Sequence, residues 1–170
     1  MFIAMSLDGY IADREGKVDW LSGESIEGED LDSYAEFIEG ADTVVMGWNT
    51  YHQIVTELSP DQWVYEGLTT YVLTHRDLPS SENIRFTRED PVQLVKHLQT
   101  EKGKEIWICG GAKLAQQLVK KDMIDRYAIT IIPLLLGGGL RLFECGEEIK
   151  LRLQGIRSGN GMAELVYVRR

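Results

Sequence analysis

The chain reads as an α/β domain built on a mostly parallel, mixed sheet with an antiparallel edge. Three observations predict it. Short apolar, β-branched runs alternate with segments whose apolar residues recur at helical spacing. Two of those runs end in glycine immediately before a helix, at Gly47 and at Gly110-Gly111. The C-terminal segment alternates apolar and polar residues on either side of Gly159-Asn160-Gly161, the pattern of a β-hairpin.

The elements follow in order. Phe2–Ser6 is an apolar run that predicts a core strand, Asp8-Gly9 is a turn signal, and Tyr10–Ala12 is a second short extended piece. Gly16–Glu29 is a polar loop carrying Trp20. Asp30–Glu39 predicts a helix, because Leu31, Tyr34, Ala35 and Ile38 stand at i, i+3, i+4 and i+7. Thr43–Met46 is a buried strand stopped by Gly47, after which Asn49 or Thr50 can cap a helix running through Leu58. Thr69–Thr74 and the shorter Ile84–Phe86 are strands. Asp90 followed by Pro91 is an N-cap followed by an N1 proline, which opens a helix to about Thr100. Glu105–Cys109 is a strand, Gly110-Gly111 turns, and Ala112–Lys121 is a helix. Tyr127–Pro133 is a β-branched strand, followed by Leu134–Leu136, Gly137–Gly139 and Leu140–Phe143. Ile149–Ile156 and Met162–Val168 are the two arms of the hairpin.

Composition bounds the function. The 170 residues suit one domain spanning 1–170, with 44% hydrophobic and 26% charged residues. Lys and Arg number 18 against 27 Asp and Glu, a formal charge of −9, which argues against a nucleic-acid partner. Cys109 and Cys145 are too few for a disulfide framework, and no zinc spacing or other metal motif occurs. The first residues lack a basic stretch and are interrupted by Asp8, so no signal peptide is expected. No apolar run reaches the ~20 residues of a membrane helix. The expectation is a cytoplasmic protein with no membrane partner.

The strand–Gly-Gly–helix junction at Gly110-Gly111 is the most informative segment for chemistry. Two glycines let a backbone approach a diphosphate, and free N–H groups at the helix start receive its charge. A tight turn needing glycine for positive φ explains the same pair, and the segment is not the G-x-G-x-x-G fingerprint. A second junction, Met46-Gly47-Trp48-Asn49-Thr50, offers Asn49, Thr50 and helix N–H groups, or simply a helix cap. Two such junctions in one small sheet can line one cleft, because ligands sit at the carboxyl ends of the strands. Arg76, after Thr74-His75, is placed for an anionic group at a strand end or for solvent. Asp30 and Asp32 begin a helix, where carboxylates favour the dipole. Asp30 lies toward Tyr34 and Phe37, and Asp32 points ~100° away from Leu31; a carboxyl beside aromatics can hold a proton. His52, His75 and His97 share no spacing and read as surface residues. Cys109 reads as a small buried hydrophobe.

Three segments in this order resemble the dihydrofolate reductase superfamily: Ala4-Met5-Ser6-Leu7-Asp8-Gly9-Tyr10-Ile11-Ala12, Val44-Val45-Met46-Gly47-Trp48-Asn49-Thr50-Tyr51 and Ile106-Trp107-Ile108-Cys109-Gly110-Gly111-Ala112. Ser6-Leu7-Asp8-Gly9 and Pro133-Leu134-Leu135-Leu136-Gly137-Gly138-Gly139 with Leu142-Phe143 resemble the branch of the riboflavin-biosynthesis deaminase-reductase, in its C-terminal reductase domain. The resemblance spans nearly the whole chain. It implies a dihydrofolate-reductase-like three-layer fold with helices on both faces of the sheet, a homodimer, and NADPH as hydride donor to a small-molecule pyrimidine- or pteridine-type substrate. The substrate it suggests is 5-amino-6-(5-phosphoribosylamino)uracil; dihydrofolate reduction and non-catalytic nucleotide binding are the alternatives. By the same resemblance Ala4 and Ile11 pack on the nicotinamide. Gly47, Asn49 and Thr50 contact phosphates at one helix start, and Gly110, Gly111, Ala112 and Lys113 at the other. Arg76 faces the adenosine 2′-phosphate, and Thr74 is a further cofactor-binding residue. Trp20 lies near the substrate, Thr130 bonds the catalytic acid, and Asp30 or Asp32 is that acid. The sequence departs from the folate enzymes at Trp48, where they carry a cofactor-binding arginine. It departs again at Glu66-Gly67-Leu68, which lacks their cation for the substrate's carboxylate. Tyr51-His52-Gln53-Ile54-Val55 departs from the Ala-Asp-Asp-Pro of the riboflavin reductases.

Overall fold

The computed structural model describes residues 1–22, 31, 33–144, 146 and 148–170. The strands are β1 (Phe2–Ser6), β2 (Tyr10–Ala12), β3 (Ala41–Gly47), β4 (Thr69–Leu73), β5 (Ile84–Thr87), β6 (Glu105–Gly110), β7 (Arg126–Ile132), β8 (Leu140–Arg141), β9 (Leu151–Gly159) and β10 (Met162–Arg169). The helices are α1 (Ser33–Glu39), α2 (Trp48–Gln53), α3 (Pro91–Leu98) and α4 (Ala112–Lys120).

The strands form two four-stranded ladders. One runs β5-β4-β3-β6, all parallel; the other runs β1-β7-β10-β9, with β1 and β7 parallel and β10 antiparallel to both neighbours. The ladders meet where β1 lies beside β6. There the Trp107 indole N–H donates to the Phe2 carbonyl at 3.0 Å. The parallel sheet with an antiparallel edge is therefore present, and a side-chain bond spans its seam. β2 and β8 pair separately, antiparallel.

Alternation along the strands places helices on both faces. Val44 and Met46 of β3, with Val72 and Trp107, pack on Phe37 of α1 and on Ile54. Val45 and Ile108 point the other way, onto Leu94, Val95 and Leu98 of α3 and Leu114, Leu118 and Val119 of α4. Val44, Val45 and Met46 are all inaccessible to solvent, so β3 is buried on both faces. Each contributes roughly 1.5–3 kcal/mol of burial. No helix among the described residues is long and apolar enough to cross a membrane.

Several boundaries differ from the sequence reading. The predicted helix over Asp30–Glu39 is described from Ser33, and Asp30 and Asp32 lie outside the described residues. α2 starts at Trp48 and continues through a π-helical turn, Ile54–Leu58. Neither Asn49 nor Thr50 caps it, because Gly47, extended at φ −82° and ψ 164°, already occupies the cap position and offers no side chain. β4 ends at Leu73, so Thr74 follows the strand. The hairpin arm starts at Leu151 and turns through Asn160 (φ 52°) and Gly161 (φ 70°), the two left-handed residues of a tight hairpin turn.

Two segments that look unrelated in sequence clasp each other. Asp8 accepts from the Ser6 hydroxyl at 2.6 Å, from the Leu136 N–H at 3.1 Å and from the Gly137 N–H at 2.8 Å. The Leu7 N–H donates to the Leu134 carbonyl at 2.9 Å. Gly139 completes the clasp: a Cβ there would collide with the Ala12 carbonyl oxygen, and its φ is +140°. These bonds, the Ser6 hydroxyl first, hold the Asp8 carboxyl below the usual carboxylate range.

Two outcomes follow for stability. A lowered folded-state pKa adds stability above the unfolded value of about 3.9 and loses it as pH falls through the folded value. In urea titrations, the deficit of Asp8→Asn relative to wild type should be steady above about pH 5 and close below it. Gly139→Ala should cost about 1–3 kcal/mol, seen as a melting temperature lower by several degrees; an unchanged melting temperature would contradict the close approach.

Candidate active site

The carboxyl ends of β3 and β6 lie side by side because their parallel register pairs Val45 with Ile108 and Met46 with Gly110. Cys109 is the extra residue of a bulge in that register. α2 and α4 therefore start next to each other, and a Cβ on Gly111 would sit 3.4 Å from the Thr50 hydroxyl. Neither start carries a side-chain cap. α3 is the contrast, since Asp90 accepts from the N–H groups of Val92 and Gln93 at 3.0 and 3.1 Å. The first turns of α2 and α4 thus keep N–H donors uncapped by side chains, together with the positive ends of their dipoles. Space is open in front of Gly47, where a Cβ would meet nothing within 4 Å. Gly110 sits at φ +126°, a conformation closed to other residues, and the Gly110-Gly111 peptide is cis.

Cations flank this edge. Arg76 lies exposed with its guanidinium 4.6 Å from the centroid of the Trp48 ring, and the Arg76 backbone N–H donates to the Thr74 hydroxyl at 3.2 Å. Trp48, the departure from the folate enzymes, is thus the platform for Arg76 at the end of β4. Lys113 is exposed in the first turn of α4. Among the described residues neither cation forms an ion pair.

Beside this edge lies a cavity of about 410 Å³. Phe2, Ile3 and Ala4 of β1 and Trp107 and Cys109 of β6 form its floor, and Tyr34, Tyr65, Val64, Ile54 and Leu58 its walls. Among the described residues its side-chain polar atoms are the two tyrosine hydroxyls, the indole N–H and the thiol. Tyr65 Oη and Cys109 Sγ are 3.6 Å apart, and the Tyr65 ring meets Trp107 edge-on at 4.9 Å. Burial pushes the Cys109 thiol up to about 11, against a lowering by the Tyr65 hydrogen bond. Burial also raises Tyr65, and more weakly Tyr34. Among the described residues the titratable groups that line the cavity, Cys109, Tyr65 and Tyr34, are therefore neutral near neutral pH. A larger cavity of about 740 Å³ lies at the far end of α4, among Lys120, Lys150 and Arg169, away from the carboxyl ends of the strands.

The other residues singled out in the sequence are distributed unevenly. Ala4 lies opposite Thr130 on β7, which lies opposite Glu164 on β10, one row across the sheet. Thr130 is buried, and Glu164 is 3% exposed with Oε2 accepting no hydrogen bond among the described residues. Ile11 packs against the α3–α4 side of the core. Trp20 donates to the Lys17 carbonyl within its own loop and does not line the cavity. Its loop is tied to α2 by a bond from Gln53 to the Gly16 carbonyl. Cys109 is a cavity-lining thiol rather than a plain core hydrophobe, because the bulge and the Tyr65 hydroxyl give it a polar setting. His52, His75 and His97 are exposed. Sequence reasoning missed Tyr65, Tyr34 and Glu164. Glu164 did leave a signal, a charge in phase with buried Val166 on an alternating strand.

Residues 1–163 match the RibD C-terminal domain family. An uncharacterized protein of Bacillus subtilis strain 168, YwjB, is 40% identical over 99% of this chain and 96% of its own. A Shewanella sp. PV-4 protein assigned to riboflavin biosynthesis superposes with a TM-score of 0.82 at 30% identity, over 99% of this chain and 97% of that one. A Thermotoga maritima diaminohydroxyphosphoribosylaminopyrimidine deaminase/5-amino-6-(5-phosphoribosylamino)uracil reductase superposes with a TM-score of 0.72 at 15% identity, over 99% of this chain and 55% of that one, a likeness of fold.

The thiol provides a direct check on the cavity. In a Cys145→Ser background, iodoacetamide should modify native Cys109 with a pH midpoint near 11. That midpoint should rise further in Tyr65→Phe, which removes the bond that lowers it. Alkylation at the rate of a free thiol at pH 8 would contradict the enclosed, Tyr65-bonded site.

Proposed function

The chain belongs to the RibD C-terminal domain family, and from that premise we propose that it is an NADPH-dependent reductase of a pyrimidine- or pteridine-type substrate. The observation that carries the reading is the pair of glycine-led, uncapped helix starts meeting beside an aromatic cavity. A dinucleotide has the matching parts: a diphosphate for paired N–H groups and a flat ring for the cavity edge.

The residues fit the cofactor. Gly47, Asn49 and Thr50 at α2, and Gly110, Gly111, Ala112 and Lys113 at α4, would hold the diphosphate. Arg76, stacked on Trp48 beside Thr74, would take the 2′-phosphate through two guanidinium N–H groups. Ala4 presents a small side chain at the cavity floor, which leaves room for the nicotinamide face, with Ile11 as its second support. When bound, NADPH supplies a hydride to a C=N or C=O carbon and leaves as NADP⁺. The chain's part is to exclude water from the cavity, orient the ring against Tyr65 and Trp107, and deliver one proton to the heteroatom. Asp30 or Asp32 is the donor in this reading, with Thr130 as its hydrogen-bond partner.

Purified protein should oxidise NADPH, followed at 340 nm, when offered a dihydropterin or a ribosylaminopyrimidine. Arg76→Ala should weaken NADPH binding by roughly 10–100-fold and leave NADH nearly unchanged. Equal affinity of wild type for the two dinucleotides would count against it. A homodimer belongs to the same proposal. Leu7 and Leu135 beside the clasp, and Leu153 and Ile156 on the outer strand of the hairpin, are exposed. Burying them against a second copy satisfies an open sheet edge. Sedimentation at micromolar concentration should give twice the 19.3 kDa chain mass, and a single-chain mass would refute the dimer.

A further inference from the structure

We infer that the Tyr65 hydroxyl is a catalytic group, donating a hydrogen bond to the heteroatom of the C=N or C=O bond that receives the hydride, with Cys109 as its positioning residue; the role rests on the reductase reading above. Among the described residues four side-chain polar groups line the cavity. The Trp107 indole N–H already donates to the Phe2 carbonyl at 3.0 Å. Tyr34 is 42% exposed, so water competes for its hydroxyl. The Cys109 thiol is a weak donor. Tyr65 differs from all three. Its hydroxyl meets Cys109 Sγ at 3.6 Å, and a phenol both accepts and donates. When the S–H donates to Oη, the phenol O–H is left to point at a ligand.

The hydroxyl is also fixed in place. The Tyr65 ring stands edge-on to Trp63 at 5.3 Å and to Trp107 at 4.9 Å, and the Tyr65 carbonyl accepts from the Leu68 N–H at 3.2 Å. A donor held before the ligand arrives needs no reorganisation as charge develops on its acceptor. Its location suits the reaction. Cys109 is the bulge residue one place before Gly110, and it shares the cavity floor with Ala4. The Tyr65 hydroxyl, at the sulfur, therefore stands at the end of the cavity nearest the two helix starts. Burial raises the phenol above its ordinary value, so it stays protonated and remains a donor. The same burial strengthens the hydrogen bond it makes.

The step balances. The hydride of NADPH forms the new C–H bond, and the π pair of the C=N or C=O moves onto the heteroatom. The Tyr65 O–H bonds that atom as its negative charge grows. The proton that ends on the heteroatom comes from the carboxyl of the reading above, so Tyr65 keeps its own.

The test follows NADPH oxidation by the full chain with 7,8-dihydropterin and with 5-amino-6-(5-phosphoribosylamino)uracil. Tyr65→Phe keeps the ring contacts with Trp63 and Trp107 and removes only the hydroxyl. It should lower kcat by roughly 10²–10³-fold and change KM by less than about threefold. Cys109→Ala should lower kcat more mildly, and Cys109→Ser, which keeps a partner for the hydroxyl, should recover most of the loss. A second readout needs no turnover. In a Cys145→Ser background, the infrared S–H stretch of Cys109 should shift when either ring binds with NADP⁺, because the Tyr65 hydroxyl then turns to the ligand. The shift should be smaller in Tyr65→Phe. A Tyr65→Phe kcat within about threefold of wild type would overturn the role while leaving the reductase reading intact, as would an S–H band that ignores a bound ring. Failure of the reductase reading looks different: wild type then oxidises NADPH with neither compound, whatever the S–H band does.

Discussion

The candidate site's edge depends on the parallel pairing of β3 with β6. Both strands are buried between helical layers, so their register is fixed by which residues face which layer. That register aligns Met46 with Gly110 and sets two helix starts side by side. The bulge at Cys109 lets the thiol reach the cavity while Gly110 keeps its place opposite Met46. Disturbing either strand would separate the helix starts that the proposed cofactor bridges.

The clasp around Asp8 does a second job for the same edge. β1 supplies the cavity floor through Phe2, Ile3 and Ala4, and its C-terminal end is otherwise a free turn. Asp8 ties that turn to the loop after β7, so β1 and β7 are joined by a ladder and by a side-chain bridge. Ala4, Thr130 and Glu164 then form one row across three strands, and the buried Glu164 carboxyl sits behind Thr130.

Much of this was legible in the sequence, for local reasons. The strands announce themselves through β-branched runs, α3 through Asp90-Pro91, and the hairpin through Asn160-Gly161. The glycine junctions at Gly47 and Gly110-Gly111 were legible because a strand ending in glycine before a helix is a contiguous pattern. The cavity was not, because Phe2, Tyr34, Leu58, Tyr65 and Trp107 come from five separate segments and none is unusual alone. The partnership of Asp8 with Leu136 and Gly137 was hidden for the same reason, with more than a hundred residues between the two motifs. The start of α2 was misread because Asn49 and Thr50 are good capping residues, while the cap position had already fallen to Gly47.

The central claim is that the uncapped starts of α2 and α4 together receive a dinucleotide. Titrating ¹⁵N-labelled protein with NADP⁺ and following each backbone amide tests this most directly. The account predicts the largest shifts at Trp48, Asn49 and Thr50 and at Gly111, Ala112 and Lys113, with Arg76 moving alongside them. Val92 and Gln93, whose N–H groups Asp90 already occupies, should stay still. Shifts confined to the cavity by Lys120 and Arg169, or to α3, with both glycine-led helix starts unmoved, would contradict it.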